Sequence, residues 1–181
     1  MGKEYVNLTL ENLNSEHVCC AIADKKHQAS VQIKKQWLEK RIPEGHVFRK
    51  LDEKGKVFIE YAPLETAWVP VQGENYLYIY CLWVSGSFKG KGYAKALLEY
   101  CIQDAREKGK SGVCILSSKK KKPFLSEKSF LLKFGFEIAD TAGSDYELLA
   151  LSFDGTKPRF SESMKNMRID SNELTIYYGA Q

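Results

Sequence analysis

The stretch from residue 76 to residue 101, YLYIYCLWVSGSFKGKGYAKALLEYC, constrains the fold more than any other part of the chain. Its first part is rich in aromatic and β-branched residues and alternates at period two, which predicts a strand. The residues predicted to share one face of this strand are Tyr78, Tyr80, Leu82 and Val84. Its last part repeats apolar residues at helical spacing, which predicts a helix. The chain must therefore pass directly from a strand into a helix through the loop SGSFKGKG.

This loop combines three glycines with two lysines, which favours an anion site. Glycines let backbone N–H groups approach a phosphate, and the N-terminus of the following helix adds partial positive charge. A Walker loop is excluded, because Gly86 and Lys91 miss the GxxxxGK spacing by one position. A dinucleotide fingerprint is excluded as well, because the next strand offers Ser117 where an acidic residue is required. The remaining pattern is [Lys/Arg/Gln]-x-x-Gly-x-[Gly/Ala], filled by residues 89–94.

The elements predicted around this unit give an α+β fold. A helical segment from Asn14 or Ser15 to Arg41 is expected as one broken helix or two, ended by Pro43-Glu44-Gly45. A hairpin is expected around Gly55. The predicted strands are residues 5–11, 46–51, 57–61, 67–71, 76–84, 113–116, 137–140 and 146–153, and the later helices are residues 92–108 and 124–133. The run at 113–116 is uniformly apolar, which predicts a strand buried on both faces.

Composition and charge narrow the class of protein. The chain is 44% hydrophobic with a net charge of +4, which favours one packed domain without a chain-wide nucleic-acid footprint. No apolar run approaches the ~20 residues that span a bilayer, and the N-terminus has no signal core, so we expect a cytoplasmic protein without a membrane partner. Five cysteines without a CxxC pair predict no disulfide framework and no metal site. His17, Cys19 and Cys20 are interpreted as small buried residues of a helix.

The run LWVSGSFKGKGYAKALL is similar to the acetyl-coenzyme A signature of the GNAT superfamily of N-acetyltransferases. The run LLKFGF resembles the last helix of that family, and the order of elements resembles its fold from about residue 5 to residue 153. Within the superfamily, the chain most resembles a subgroup that carries a YoaP-like C-terminal domain. The resemblance implies a GNAT-like mixed, mostly antiparallel sheet flanked by helices around a central β-loop-α-β cofactor unit.

The same resemblance suggests how the chain is divided. We predict an acetyl-coenzyme A-binding acyltransferase domain over residues 1–157 and a C-terminal extension over residues 158–181. The segment ELTIYY at residues 173–178 is interpreted as a strand, which would be the first of a truncated second module. Acetyl-coenzyme A is the expected co-substrate, and no metal is expected.

The resemblance also assigns cofactor-binding residues. The pantetheine arm would bond to the strand residues Leu82, Trp83 and Val84. The pyrophosphate would be held by Lys89, Gly90, Lys91, Gly92, Tyr93 and Ala94. Lys89 stands where the family usually has Arg or Gln, which keeps a cation but loses a bidentate fork. The lysines at residues 119–122 are interpreted either as contacts to the ribose 3′-phosphate of coenzyme A or as a solvated charge run.

The residues that would carry protons depart from the family pattern. Tyr78 stands where some members have a glutamate base, and Leu131 stands where many have a tyrosine acid. Glu60, on the predicted hairpin, is the substitute candidate for the base, acting directly or through water, and Tyr78 is the second candidate. Both also have a structural interpretation, with Glu60 as a solvated strand residue and Tyr78 as a packing residue with a polar tip.

The predicted function is direct transfer of an acetyl group to an amine, on a small molecule or peptide that the sequence does not identify. The alternative is a catalytically impaired coenzyme A-binding module with a regulatory or interaction role, which the missing glutamate and tyrosine favour. A nucleic-acid-binding domain that uses residues 119–122 is a further alternative, disfavoured because the basic residues are local and not interleaved with aromatics. A homo-oligomer is left open.

Overall fold

The computed structural model describes residues 4–18 and 28–166. Within these residues the strands are β1 (Tyr5–Asn7), β2 (Val47–Leu51), β3 (Val57–Pro63), β4 (Val71–Gln72), β5 (Tyr76–Val84), β6 (Gly112–Ser118), β7 (Glu137–Ala142), β8 (Tyr146–Ser152) and β9 (Arg159–Phe160). The helices are α1 (Gln28–Arg41), α2 (Tyr93–Glu107), α3 (Lys128–Leu132) and α4 (Glu162–Lys165).

Seven strands form the main sheet in the order β1-β2-β3-β5-β6-β8-β7, and β4 pairs with β9 in a separate two-stranded sheet. Among the described strands of the main sheet, β5 and β6 pair in parallel and the other neighbours pair antiparallel. Helix α2 makes the crossover between β5 and β6, as parallel neighbours require. The predicted α+β class and its central β-loop-α-β unit are confirmed.

The sheet buries a core on each face. On β3, Val57 and Ile59 pack with the apolar stripe of α2, whose buried members include Leu97 and Leu98. Phe58, between them, packs with Leu38 of α1 instead. Because successive strand residues point to opposite faces, α1 and α2 cover opposite faces of the sheet. Each fully buried side chain of this kind contributes roughly 1.5–3 kcal/mol to stability.

Several predicted elements are confirmed. Helix α1 ends at Arg41, and the chain turns at Gly45 with φ +94°, a left-handed conformation that favours glycine. The predicted hairpin is β2 and β3, with Gly55 in the connection. Helix α2 matches the predicted span of 92–108 to within one residue at each end. Strand β6 is buried on both faces at Val113 and Cys114, as its unbroken apolar run predicts.

The predicted end of the first strand is wrong because local polar side chains compete with the regular element. Strand β1 ends at Asn7 instead of residue 11, since Thr9 and Asn12 bond reciprocally and start a turn. The Thr9 N–H donates to Asn12 Oδ1 over 2.8 Å, and the Asn12 N–H donates to Thr9 Oγ1 over 3.3 Å. The predicted extended piece at 67–71 is reduced to β4, the two residues Val71–Gln72.

Helix α3 begins at Lys128 instead of residue 124. The residues before it form a loop that leaves β6, where the Ser118 hydroxyl donates to the Lys120 carbonyl over 2.5 Å. Lys122 forms an ion pair with Asp145 over 2.6 Å, which ties the same loop to the turn between β7 and β8. The predictions for Cys19, Cys20 and the ELTIYY segment fall outside the described residues.

Candidate active site

A β-bulge between β3 and β5 organises the site. Glu60 pairs with Cys81 while the next residue, Tyr61, pairs with Ile79, so Tyr80 is the extra residue on β5. A one-residue slip sends the following side chains to the opposite face of the sheet. Tyr80 therefore lies on the same face as Tyr78, away from α2, whereas Leu82 and Val84 pack into the core beneath α2. The prediction that Tyr78, Tyr80, Leu82 and Val84 share one face is wrong.

The parallel pair β5–β6 separates at the bulge. Its last paired residues are Ile79 and Ile115, and β6 continues to Ser118 in contact with β8 alone. The facing edges of residues 80–84 and 116–118 are therefore not bonded to each other. An extended ligand can insert between such edges and bond to them as an added strand would. The Ser126 hydroxyl lies at this gap, 3.5 Å from the Leu82 carbonyl oxygen.

The glycine loop ends at the N-terminus of α2. Gly90 has φ +75° and Gly92, the N-cap, has φ +83°, so both need the left-handed conformation that L side chains disfavour. Within the described part of the chain, no backbone carbonyl accepts from the N–H groups of residues 90–95. The first N–H groups of a helix lack intrahelical partners, and together with the helix dipole they attract an anion. Such free N–H groups at residues 90–94 are typical of a phosphate-binding loop, whereas the Lys89 N–H donates to the Gly86 carbonyl over 3.3 Å.

A pocket of ≈ 190 Å³ lies beside the gap, between the end of β6 and the start of α3. Its lining is rich in hydroxyl and ammonium groups, contributed by Ser117, Ser118, Lys119, Lys121, Lys122, Ser126, Lys128 and Ser129. Lys121 forms an ion pair with Glu127, and Lys122 donates to Asp145, which raises the pKa of Lys122. The predicted lysine run is thus partly engaged with carboxylates while it lines this pocket.

Glu60 is buried, with 2% of its surface exposed, and the interpretation as a solvated strand residue is wrong. Its Oε1 accepts from Lys34 Nζ over 2.5 Å and lies 2.8 Å from His46 Nε2. Burial alone would raise the pKa of this carboxyl group, but the Lys34 ammonium and His46 outweigh it and the pKa is lowered. Glu60 is therefore an ionised carboxylate held by two donors.

The two partners of Glu60, Lys34 and His46, were not predicted from the sequence. Lys34 lies one helical turn before Leu38 and shares its buried face of α1, with 8% of its surface exposed. The i, i+4 spacing between Lys34 and a core leucine could have predicted a buried ion pair, because a lysine on an apolar helix face needs a buried partner. His46 lies beside the start of β2, opposite β3, where hairpin pairing brings it close to Glu60.

Aromatic rings surround the bulge on the α1 face. The Tyr80 ring centroid lies 5.2 Å from that of Tyr78 and 5.4 Å from that of His46, and the Trp37 ring meets His46 edge-on at 4.9 Å. Burial, and next the charge of Glu60, raise the pKa of Tyr80 to about 12. Burial raises the pKa of Tyr78 as well. Both phenols are therefore protonated near neutral pH and can donate hydrogen bonds.

Leu131 lies in the core with no exposed surface, so α3 presents an apolar side chain at this position. Among the described residues, no group of three or more His, Cys, Asp or Glu side chains is placed to hold a metal ion. None of the described helices combines the length and apolar character that crossing a bilayer requires.

Comparison with known proteins agrees with this geometry. A sequence model of the acetyltransferase (GNAT) family matches residues 10–136. The uncharacterized N-acetyltransferase YoaP of Bacillus subtilis (strain 168) is 44% identical over 179 residues, which cover 98% of this chain and 71% of that protein. The chain belongs to the GNAT family of acetyltransferases. The predicted resemblance to this superfamily and to YoaP is confirmed, and so is the predicted enzyme class, an N-acetyltransferase.

Solved structures of this GNAT fold resemble the chain at low identity. The PaiA N-acetyltransferase from Thermoplasma acidophilum, in complex with coenzyme A, has a TM-score of 0.56 at 19% identity and covers 84% of this chain and 100% of its own. A ribosomal-protein-alanine N-acetyltransferase from Brucella melitensis has a TM-score of 0.57 at 15% identity and covers 83% of this chain and 99% of its own. Both support the GNAT fold.

Proposed function

We propose that this GNAT enzyme transfers an acetyl group directly from acetyl-coenzyme A to an amine of a small molecule or peptide. The observation that carries the proposal is the gap between β5 and β6, which opens toward the N-terminus of α2, where the N–H groups of residues 90–95 have no backbone acceptor among the described residues. This opening suits a ligand that has an anionic group at one end and an extended arm containing amides. The coenzyme A bound to the PaiA protein supports the assignment.

The residues present fit coenzyme A at both ends of this opening. The N–H groups of the loop, with Lys89 and Lys91 beside them, suit its pyrophosphate. The edge of β5 that has separated from β6 suits the pantetheine amides, because β-strand edges bond extended chains. Val84 lies four residue steps beyond Tyr80, roughly 13 Å along an extended strand. An arm that enters beside Val84 therefore delivers its far end to the bulge at Tyr80.

The site supports direct transfer through orientation and electrostatics. Acetyl-coenzyme A supplies a thioester that an amine can attack once the two are held together. The chain fixes the arm along β5, which lowers the entropic part of the barrier. A backbone N–H of the β5 edge near Leu82 would meet the negative charge that develops on the acetyl oxygen. Glu60 and Tyr78 remain the proposed participants in proton transfer.

We also propose that the acetyltransferase unit extends beyond the predicted boundary at residue 157. Strand β9 and helix α4 lie beyond that boundary, and Phe160 is 1% exposed in the same apolar cluster as Tyr78. We accordingly place residues 158–166 with the acetyltransferase unit. We also propose a cytoplasmic location.

Isothermal titration calorimetry with coenzyme A tests the cradle. We expect Gly92→Ala to weaken binding at least tenfold, because a side chain at φ +83° strains the loop and misaligns its N–H groups. Gly109→Ala is the matched control at the other end of α2, with φ +63° and equally open space where the new methyl group would lie. Its dissociation constant should stay within twofold of the wild-type value. Absence of wild-type binding at millimolar coenzyme A, or equal effects of the two variants, would refute the proposal.

Turnover is measured separately as thiol release from acetyl-coenzyme A over a panel of amines. The panel contains polyamines, aminoglycosides and peptides with free N-termini. Release that depends on the amine supports the transferase. Binding without release for every amine supports the alternative of a coenzyme A-binding module.

A further inference from the structure

The hydrogen bonds of Glu60 determine the tautomer of His46. An ionised carboxylate can only accept hydrogen bonds, and Glu60 Oε1 lies 2.8 Å from His46 Nε2. Nε2 must therefore carry the proton, and the Nε2–H group donates a hydrogen bond to Glu60. In the neutral imidazole this leaves Nδ1 with its lone pair, directed away from Glu60 by the geometry of the ring.

Lys34 strengthens this orientation. Its Nζ donates to the same carboxylate oxygen over 2.5 Å, so the carboxylate stays ionised although it is buried. We call these three residues, Lys34, His46 and Glu60, the Glu60 cluster. A histidine oriented by a carboxylate is an arrangement that enzymes use to accept protons, since the carboxylate also stabilises the imidazolium that results.

The Glu60 cluster lies at the closed end of the gap between β5 and β6. Glu60 is the β3 residue at the bulge, and the bulged residue Tyr80 contacts the His46 ring at 5.4 Å. The gap begins directly after Ile79, the residue before Tyr80. The far end of an arm bound along β5 reaches the same residue. The imidazole is therefore beside the place where the amine and the thioester must meet.

We propose that His46 takes the proton of the acceptor amine and that Glu60, neutralised by Lys34, is its positioning residue. The proposal deepens the proposed function and rests on it. The His46 side chain is 2% exposed, so the proton passes through a water molecule between the amine and Nδ1. The role differs from the predicted one, in which Glu60 itself was the base.

The acceptor enters as an ammonium and gives one proton to His46 Nδ1, which leaves a neutral amine and an imidazolium. The amine nitrogen forms a bond to the acetyl carbon, and the carbon–sulfur bond breaks. The second proton of that nitrogen goes to the departing sulfur, giving the N-acetyl product and the free thiol of coenzyme A. The imidazolium then returns its proton to solvent.

The charged and titratable groups around His46 come from three neighbouring elements. Lys34 and Arg41 lie on α1, Glu60 on β3, and Tyr78 and Tyr80 on β5. Arg41 is drawn outward, with its guanidinium over Trp68 at 4.7 Å and paired with Glu44. Glu60 is the carboxylate in direct contact with the imidazole, so its removal should disfavour the imidazolium.

Nuclear magnetic resonance tests the tautomer without an acceptor. The whole chain is labelled with ¹⁵N-histidine, and long-range nitrogen–proton correlations assign the protonated nitrogen of His46. We expect the Nε2–H form at pH 8, converted to the Nδ1–H form or a mixture in Glu60→Gln, whose amide can donate as well as accept. An Nδ1–H tautomer in the wild-type chain would overturn the proposal whether or not an acceptor is known.

Kinetics test the proton transfer with an amine that turns over in the panel. His46→Ala should lower kcat/KM about 10²–10³-fold at neutral pH while coenzyme A binding by calorimetry stays unchanged. Glu60→Gln should move the acidic limb of the pH profile of kcat/KM to lower pH. Glu16→Gln is the matched control, because it removes the carboxylate of a different lysine–glutamate pair, Lys50 and Glu16, 2.6 Å apart.

The two proposals fail in different ways. An acidic limb that stays in place in Glu60→Gln, or that moves equally in Glu16→Gln, would overturn the role of His46 while acetyl transfer stands. If His46→Ala fails to fold, the Glu60→Gln profile and the tautomer still decide. Failure of every amine in the panel would count against the transferase instead, and the tautomer would then decide on His46 alone.

Discussion

Replacing Lys34 with methionine removes the ammonium that neutralises Glu60 and leaves a buried carboxylate behind. The Lys34 Nζ and Glu60 Oε1 atoms are 2.5 Å apart, and the two residues are 8% and 2% exposed. Breaking a buried ion pair by removing one partner costs about 3–5 kcal/mol. His46 still donates to the same oxygen, so we expect the low end, about 3 kcal/mol. For a chain of this size that corresponds to a fall in Tm of roughly 6–12 °C.

Urea denaturation followed by circular dichroism measures this loss, and differential scanning calorimetry measures Tm. Lys95→Met is the matched control, because Lys95 and Glu99 form an exposed pair 3.8 Å apart. Such surface pairs contribute about 0.3–0.5 kcal/mol. The double variant Lys34→Met/Glu60→Leu should be more stable than Lys34→Met, since it removes the uncompensated buried carboxylate, although the buried His46 Nε2 loses its acceptor. A loss below about 1 kcal/mol in Lys34→Met, or a double variant no better than the single one, would refute the reasoning.

The loss of stability in Lys34→Met depends on pH, and the structure determines the direction of that dependence. The pKa of Glu60 is lower in the folded protein than its ordinary value of 4.5. A carboxyl group of this kind stabilises the fold above the unfolded-state pKa, and that contribution is lost as pH falls through the lower folded-state value. The difference between the wild type and Lys34→Met should therefore be full at neutral pH and shrink below pH 4.5. A difference that grows in acid would contradict the assignment of Glu60 as an ionised group.

Two further changes test the packing that positions the site. A methyl group at Gly112 would overlap the Leu151 carbonyl oxygen and lie 2.7 Å from Tyr76 Cε1. Gly112→Ala should therefore lower the free energy of unfolding by about 1–3 kcal/mol, measured by urea denaturation. An unchanged free energy would mean that β6 and β8 can move apart. Tyr61→Phe removes a 2.8 Å hydrogen bond that the phenol donates to Asp104. Hydrogen bonds to charged groups contribute about 1.5–3 kcal/mol, so thermal unfolding should show a loss of stability near 1.5 kcal/mol.

Prediction from the sequence worked where the signal is local. The glycine loop, α2 and the hairpin of β2 and β3 each carry their determinants within a few neighbouring residues. The boundaries of β1 and α3 were wrong because short polar side chains such as Asn12 and Ser118 bond to nearby backbone, which periodicity does not register. The face of Leu82 and Val84 was wrong for a different reason. A bulge is invisible to a period-two pattern, yet it reverses every side chain that follows.

The sequence by itself determined the family, the α+β class and the loop that presents free N–H groups at the start of α2, because these follow from residues adjacent in the chain. Only the tertiary structure decided what Glu60 does. Its partners Lys34 and His46 come from α1 and the start of the hairpin, and nothing in their spacing along the chain specifies that they meet. A buried carboxylate acquires its charge state from the donors that folding brings to it. The candidate for proton transfer therefore moved from Glu60 to the histidine that Glu60 orients.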